Sequence, residues 1–98
     1  MRNGYKIIWS ERAINDLNLI VQYLNESWSE KEIKKFLANI NQSLFHLQVF
    51  PEAFPSTPQK KNLRRYVISK RHTLYYLFED NNIYLISIFD NRQKEFRL

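Results

Sequence analysis

Residues 63–89 read LRRYVISKRHTLYYLFEDNNIYLISIF, and this stretch decides the fold. It is rich in β-branched and aromatic residues, and polar residues interrupt it at two places. Arg71-His72 lies in the first interruption, and Asp80-Asn81-Asn82 in the second is typical of a tight hairpin turn. The stretch therefore predicts three strands joined by two turns, over Leu63–Ser69, Thr73–Glu79 and Ile83–Phe89.

These strands carry apolar residues on both faces. Leu74, Tyr76 and Phe78 alternate with Tyr75 and Leu77, which are apolar as well. One face is expected to pack on helices, and the other is unusually apolar for a face in contact with water. We therefore expect something to cover the second face.

The first 28 residues predict a short strand followed by a helix. Tyr5–Trp9 is β-branched and aromatic, and Ser10 stands where an N-cap belongs. Apolar residues then recur at spacings of three and four, with polar residues such as Asp16 on the other side. The predicted apolar stripe is Ala13, Ile14, Leu17, Ile20, Val21, Leu24 and Trp28.

A second helix starts directly after the first. Ser29 and Glu32 have the spacing of a capping box, and the tight connection predicts an antiparallel helical hairpin. Phe45 lies off the stripe, either as a contact for a partner or as part of a wider buried face. His46 falls opposite the stripe and is expected to be solvated. The stripe itself is Ile33, Phe36, Leu37, Ile40, Leu44 and Leu47.

The element order β-α-α-β-β-β predicts an α+β fold. Its antiparallel sheet is expected to carry the two-helix hairpin packed on one face. Three prolines mark a loop from Pro51 to about Asn62, before the three strands. We expect a single domain over residues 1–98, with a polar, basic and partly flexible tail over 91–98.

Composition excludes several classes of site. The 98 residues contain no cysteine, which rules out disulfides and thiolate metal sites, and one glycine, too few for a glycine-rich phosphate loop. His46 and His72 lack the spacing of a metal site. We therefore expect no metal and no cofactor. With no long apolar run and no secretory signal, the chain is predicted to be soluble and cytoplasmic, without a membrane partner.

Positive charge is concentrated after the loop. The net charge is +5, and no acidic residue occurs between Gln59 and His72. Such a surface can bind phosphates and stack bases, or bind an acidic protein segment. The alternatives are a solvated strand edge for the cations and sheet core for the tyrosines. The candidate binding residues are Arg64, Arg65, Lys70, Arg71, His72, Tyr75 and Arg92.

Several short motifs, in order, resemble the RelE/ParE toxin superfamily. They include Ser-Glu-Arg-Ala at the start of the first helix and Phe-Pro-Glu after the second. The C-terminal half adds Leu-Arg-Arg-Tyr-Val-Ile, Arg-His-x-x-x-Tyr and Phe-Asp-Asn-Arg-Gln. The resemblance covers nearly the whole chain through Ser10–Ala13, Phe50–Glu52, Leu63–Ile68, Arg71–Tyr76 and Phe89–Gln93.

The resemblance implies the toxin of a type II toxin–antitoxin module, with a cognate antitoxin as partner and roles in growth arrest and plasmid stabilisation. RelE-like members are ribosome-dependent endoribonucleases, whereas ParE-like members inhibit DNA gyrase. If the chain is a nuclease, the resemblance implies a metal-independent one. The basic positions of its catalytic site would then be held by Arg64, Arg65 and Arg92. No pair of a nucleophile and a base can be named from the sequence, so no catalytic residue is assigned.

Three positions depart from the nuclease pattern. Thr73 stands where RelE-like enzymes often have an arginine, Phe96 lies in the neighbourhood of their C-terminal tyrosine, and Asp90 stands where a histidine is expected. The groups suited to proton transfer are therefore missing. The Arg71–Tyr76 motif resembles the ParE branch more closely. We accordingly predict a non-enzymatic inhibitor of DNA gyrase, with a ribosome-dependent mRNA interferase as the alternative.

Overall fold

The computed structural model describes residues 4–93 and 95–98, and its element order is the predicted one. The elements are β1 (Lys6–Trp9), α1 (Glu11–Ser27), α2 (Glu30–Val49), β2 (Leu63–Val67), β3 (His72–Glu79) and β4 (Asn82–Asp90). The predicted α+β fold is confirmed. Within the described ranges, neither helix combines the length and hydropathy that a membrane span requires.

The sheet is mixed, with the strand order β1-β4-β3-β2. Strands β2, β3 and β4 form the predicted antiparallel meander. The β1 strand instead runs parallel to β4, from Lys6 opposite Asn82 to Trp9 opposite Leu85, so the sheet is not wholly antiparallel as expected. A hydrophobic pattern does not encode the direction of an edge strand whose partner lies more than seventy residues away.

The turns that join the three C-terminal strands differ slightly from the prediction. Asp80 and Asn81 have φ values of 52° and 62°, the left-handed conformation that a two-residue hairpin turn requires. In the other turn, the Ser69 hydroxyl accepts hydrogen bonds from the backbone N–H groups of Arg71 and His72. This turn ends before His72, which is therefore the first residue of β3 rather than a turn residue.

Serine residues cap both helices as expected. Ser10 Oγ accepts from the Ala13 N–H at 3.0 Å and donates to the Ile86 carbonyl at 3.0 Å, so this cap also ties α1 to β4. Ser29 Oγ accepts from the Glu32 N–H at 3.4 Å. Trp28 is the C-cap of α1, and it is 38% exposed rather than part of a buried stripe.

The core lies between the two helices and one face of the sheet. The Tyr76 side chain is fully buried, and its hydroxyl donates to the Pro51 carbonyl at 2.7 Å. Ile14 and Leu37, which were predicted to face the core, are 45% and 39% exposed. The buried cluster comprises Ala13, Leu24, Phe36, Ile40, Leu47, Leu74, Tyr76, Ile83, Leu85 and Ile88.

The chain's own C-terminal tail covers part of the second sheet face. Phe96 is 4% exposed, and its ring stacks on Tyr75 with centroids 3.8 Å apart and planes 9° apart. Phe89 contacts the Phe96 ring edge-on, with the two ring centroids 5.8 Å apart. Arg12 lies over the Phe96 ring at 4.9 Å and donates to the Leu98 carbonyl. These contacts hold a segment that composition predicts to be partly flexible, and they account for part of the apolar character of this face.

Asp16 closes the edge of β4 that β1 leaves open. The β1 strand ends at Trp9 opposite Leu85, so the following residues of β4 have no strand beside them on that side. The Asp16 carboxylate, on α1, accepts from Ser87 Oγ at 2.6 Å and from the Ile88 N–H at 3.0 Å. Asp16 is thus a link between helix and sheet as well as a member of the polar side of α1.

We expect Asp16→Ala to lower the free energy of unfolding by about 1–3 kcal/mol, because the partly buried donors on Ser87 and Ile88 lose their acceptor. Urea denaturation of the purified chain measures the change. The matched control is Asn15→Ala, at an exposed neighbouring position, which should stay within about 0.5 kcal/mol of the unsubstituted protein. Equal effects of the two substitutions would contradict this role for Asp16.

Candidate functional site

The predicted binding residues do not form one surface. Arg71, His72 and Arg92 line a groove beside α1. Arg65 and Tyr75 lie side by side on the second sheet face, since they are register partners in β2 and β3. Arg64 and Lys70 lie at neither place. The groove brings together three of the seven predicted residues, Arg71, His72 and Arg92.

The groove separates the outer side of α1 from the ends of β3 and β4 and from the tail. It has a volume of about 420 Å³. Two residues of α1 that line the groove are exposed: Leu19 is 64% exposed, and Tyr23, one turn further along the helix, is 41% exposed. We call this feature the α1–β4 groove, and its principal charged and aromatic residues are Arg12, Tyr23, Arg71, His72, Asp90 and Arg92.

Asp90 and Arg92 form an ion pair at the rim of the groove. Arg92 Nη2 lies 2.6 Å from Asp90 Oδ2, and Arg92 Nε donates to both carboxylate oxygens at 3.1 Å. The hydrogen bonds from Arg92 lower the pKa of Asp90, so this carboxylate is an anion at neutral pH. The Arg92 guanidinium also lies 5.4 Å from the centre of the Tyr23 ring. Arg92 is therefore held by one anion and one aromatic ring.

Arg71 lies close to this ion pair, since the Asn91 N–H donates to the Arg71 carbonyl at 2.7 Å, and its side chain packs against Trp28. Its guanidinium is 5.1 Å from the centre of the Trp28 ring, a cation–π contact that joins the turn before β3 to the end of α1. In residues 4–93 and 95–98, no carboxylate lies within salt-bridge distance of Arg71. A smaller hollow of about 170 Å³ adjoins this position and is lined by Trp28, Lys35 and Arg71. Arg71 is thus a positioned cation that can receive an anionic group from a partner.

His72 forms the floor between these two arginines. It is only 5% exposed, and its ring meets Phe36 edge-on at 5.2 Å. Burial lowers the pKa of His72, and the nearby Asp90 carboxylate opposes this shift only in part. His72 is consequently a neutral packing residue, and it does not present a charge to a ligand.

The family becomes clear once this fold and groove are compared with known proteins. The sequence-family model of the ParE toxins of type II toxin–antitoxin systems, parDE, matches residues 7–95. This chain belongs to the ParE toxin family. No curated protein sequence matches it significantly.

Solved structures show the same fold as this ParE-family chain at low sequence identity. A chain of the chromosomal ParDE system from P. aeruginosa is 14% identical, with a TM-score of 0.74, over 91% of this chain and 98% of its own. The YoeB/ParE toxin from Agrobacterium tumefaciens is 13% identical, with a TM-score of 0.65, over 87% and 96%. A YoeB dimer from Staphylococcus aureus is 20% identical, with a TM-score of 0.62, over 87% and 94%.

Two of the predicted ParE-family site residues have evident structural contacts. Arg64 Nη1 donates to the carbonyls of Phe54 at 2.7 Å and Glu52 at 3.2 Å, and so holds the loop before β2. Tyr75 lies beneath Phe96 in the second sheet face. Arg65 is exposed beside Tyr75, and Lys70 is exposed in the turn before β3. Among the described residues, no group of three histidine, aspartate or glutamate side chains is arranged to hold a metal ion.

Tyr23 and Asp90 belong to the groove of this ParE-family chain and Trp28 to the adjoining hollow, although the sequence did not place them in the candidate site. Leu19 and Tyr23 carried a usable signal, because they are apolar residues four apart that lie outside the buried stripe of α1. The pairing of Asp90 with Arg92 gave no signal in the sequence. Arg92 follows the end of β4, where the direction of a side chain does not follow from the strand pattern. His46, expected to be solvated, is half-buried and bonds through Nδ1 to Tyr66 Oη at 2.6 Å.

We expect the stability of the protein to fall as the pH is lowered through about 6.5, because His72 stays neutral in the fold. Its folded-state pKa lies below the value of about 6.5 in an unfolded chain, so the unfolded state takes up the proton first as the pH falls. The contribution of His72 to the free energy of unfolding is fully present above the unfolded-state pKa and is lost at lower pH. The free energy of unfolding changes by at most about 1.4 kcal/mol per pH unit from this one group.

The pH dependence is checked by urea denaturation at a series of pH values. His72→Gln should flatten this part of the profile, because glutamine does not titrate. The matched control is His46→Gln, which removes the other histidine of the chain. An unchanged slope in His72→Gln would refute the assignment.

Proposed function

We propose that this ParE-family toxin acts by binding DNA gyrase and that it has no nuclease activity of its own. The observation that carries the proposal is the ion pair between Asp90 and Arg92. In the nuclease branch a proton-transfer group is expected at position 90. Here a carboxylate with a lowered pKa stands at that position and neutralises the adjacent arginine. An anion at this place disfavours the approach of a phosphodiester.

Two further positions support binding rather than catalysis. Thr73, where nucleases of the superfamily often have an arginine, is 7% exposed and donates to Asn91 Oδ1 at 2.8 Å. Phe96, near the position of their C-terminal tyrosine, is buried and has no ionisable group. Neither residue can donate or accept a proton during cleavage of RNA.

The α1–β4 groove suits a protein partner of mixed chemistry. Its lining combines the exposed apolar residues Leu19 and Tyr23 with two cations: Arg71, which has no carboxylate partner among the described residues, and Arg92, which is paired with Asp90. Tight interfaces commonly combine aromatic residues and arginines in this way. We propose that the same groove accepts an acidic, partly apolar segment of a cognate antitoxin, which neutralises the toxin by occupying it.

The purified chain should block negative supercoiling of relaxed plasmid by DNA gyrase. Arg71→Glu should raise the concentration needed for half-inhibition by about tenfold or more, because it replaces the free cation of the groove. Lys6→Glu is the matched control, as it makes the same charge change at an exposed position of β1 outside the groove.

Two results separate the parts of this proposal. Normal supercoiling at saturating toxin, while expression still arrests growth, would reject gyrase as the target. Inhibition that is equally potent in Arg71→Glu would keep gyrase as the target and reject the groove as the contact surface. Harmless expression without an antitoxin would instead indicate an inactive relative that serves as an interaction module.

The mRNA interferase remains the competing function, and the exposed position of Arg65 beside Tyr75 favours it. It predicts codon-positioned cleavage in translating extracts that is lost in Arg65→Ala or Arg92→Ala. Supercoiling of plasmid and the 5′ ends of transcripts, both measured in the same induced cells, distinguish the two functions. Absence of cleavage with actively translating ribosomes would reject the nuclease.

A further inference from the structure

The hollow beside Trp28 lies where the end of α1, the first half of α2 and the turn before β3 meet. Trp28 lines it from the end of α1, Lys35 and Asn39 line it from α2, and Arg71 lines it from the turn. We call this feature the Trp28 hollow. It adjoins the α1–β4 groove, because Arg71 and His72 line both. A segment that lies in the groove can therefore continue into the hollow.

The size and lining of the Trp28 hollow suit a single apolar side chain. Leu24, Phe36 and His72 line it, and each is more than nine-tenths buried. Its volume of about 170 Å³ is below the range of about 300–1,000 Å³ that is usual for sites of drug-sized molecules. Protein interfaces are often anchored by one side chain that fills a desolvated pocket, and tryptophan and arginine are enriched at such places. Trp28 and Arg71 supply both residue types here.

Two cations at the rim of the Trp28 hollow have no anionic partner within the described ranges. No carboxylate of residues 4–93 and 95–98 lies within salt-bridge distance of Lys35 or Arg71. Glu32 lines the same rim, about one turn before Lys35, so the rim carries two positive charges and one negative charge. An apolar side chain alone would leave both cations without a counter-charge. A carboxylate next to that side chain would pair with them, through strong charge-assisted hydrogen bonds.

The His72 ring is a second, independent observation that points to a ligand. The residue is 5% exposed, and in the part of the chain that the structure describes its ring contacts Phe36 without making a hydrogen bond. No fully buried side-chain nitrogen or oxygen of those residues lacks a hydrogen-bond partner, so the ring nitrogens of His72 are open to the groove or to the hollow. A neutral imidazole can donate one hydrogen bond and accept another. Polar groups of a bound segment can use this capacity.

We propose that the Trp28 hollow is an anchor site for a protein segment in which an apolar side chain stands next to a carboxylate. The apolar side chain packs on Leu24 and Phe36, and the carboxylate pairs with Lys35 and Arg71. The inference rests on the proposed function, because it describes how the acidic segment in the α1–β4 groove continues beyond Arg71. It adds a requirement for one apolar residue beside an acidic one, which the groove alone does not impose.

A phosphate group of a nucleic acid fits the Trp28 hollow less well than this segment. It would pair with Lys35 and Arg71, but it has no apolar group to cover Leu24 and Phe36. Burial of apolar surface is the main favourable contribution to most protein associations. The combination of an apolar lining and a cationic rim therefore favours the acidic and apolar protein segment.

NMR titration of the full chain with N-acetyl-leucine tests the site with a small probe that carries both groups. We expect the indole N–H signal of Trp28 to shift saturably, with a dissociation constant in the millimolar range, as befits so small a ligand. N-acetyl-leucinamide, which lacks the charge, should bind about fivefold more weakly. The indole of Trp9 is an internal control, because Trp9 lies on β1 and lines neither cavity.

Substitutions at the rim separate charge from shape. Lys35→Gln should weaken binding of N-acetyl-leucine about threefold, and Glu32→Gln should strengthen it about threefold, because they remove an attractive and a repulsive charge. Neither should change binding of the amide. Asn39→Phe should abolish binding of both probes by filling the hollow. Asn41→Phe is the matched control at an exposed position that does not line the hollow, and circular dichroism confirms that each variant is folded.

The outcomes distinguish this inference from the proposed function. Absence of a saturable shift at Trp28, or equal affinity for the acid and the amide, would overturn the anchor site. Inorganic phosphate that binds as tightly as N-acetyl-leucine would also overturn it and assign the hollow to a phosphate group. Inhibition of gyrase is measured separately. A chain that leaves gyrase unaffected can still bind the probe, and a chain that ignores the probe can still inhibit gyrase.

Discussion

The Asp16 carboxylate is the contact on which the placement of α1, and therefore the groove, depends. The four-residue strand β1 pairs with only the first part of β4. The backbone N–H groups along the rest of that edge of β4 need other acceptors. Asp16 supplies them to Ser87 and Ile88, while Ser10 bonds the Ile86 carbonyl from the start of the same helix. Because both anchors belong to α1, the helix lies along the end of β4, and its exposed side faces the residues that follow that strand.

That placement turns scattered cations into an organised surface. Arg71 and Arg92 lie near each other where β3 begins and β4 ends, and each guanidinium lies over an aromatic ring at the end of α1. A cation held in this way loses less conformational entropy on binding than a free arginine does, which favours recognition of a protein segment. On this surface Asp90 pairs with Arg92, and the His72 ring is buried against Phe36.

Much of the fold could be predicted from local patterns, and less of the site could be. The Asp80–Asn82 turn, the serine caps and the apolar stripes are local signals, and the structure has an element at each of them. The boundary at His72 shifted because the hydroxyl of Ser69 closes the preceding turn. The seven candidate binding residues were predicted as one cluster, but side chains alternate along a strand. Arg64 and Arg65 therefore point to opposite faces, one to a loop and the other to solvent.

The sequence by itself determined the element order, the α+β class and the toxin superfamily, because caps, turns and hydrophobic periodicity act over a few residues. It also determined that one sheet face would need a cover. Only the tertiary structure decided that Phe96 of the tail supplies part of that cover, that β1 runs parallel to β4, and that Tyr23 and Trp28 meet arginines from the far end of the chain. Each of these contacts joins residues more than twenty positions apart, and their geometry follows from how helices and sheet pack rather than from any local pattern.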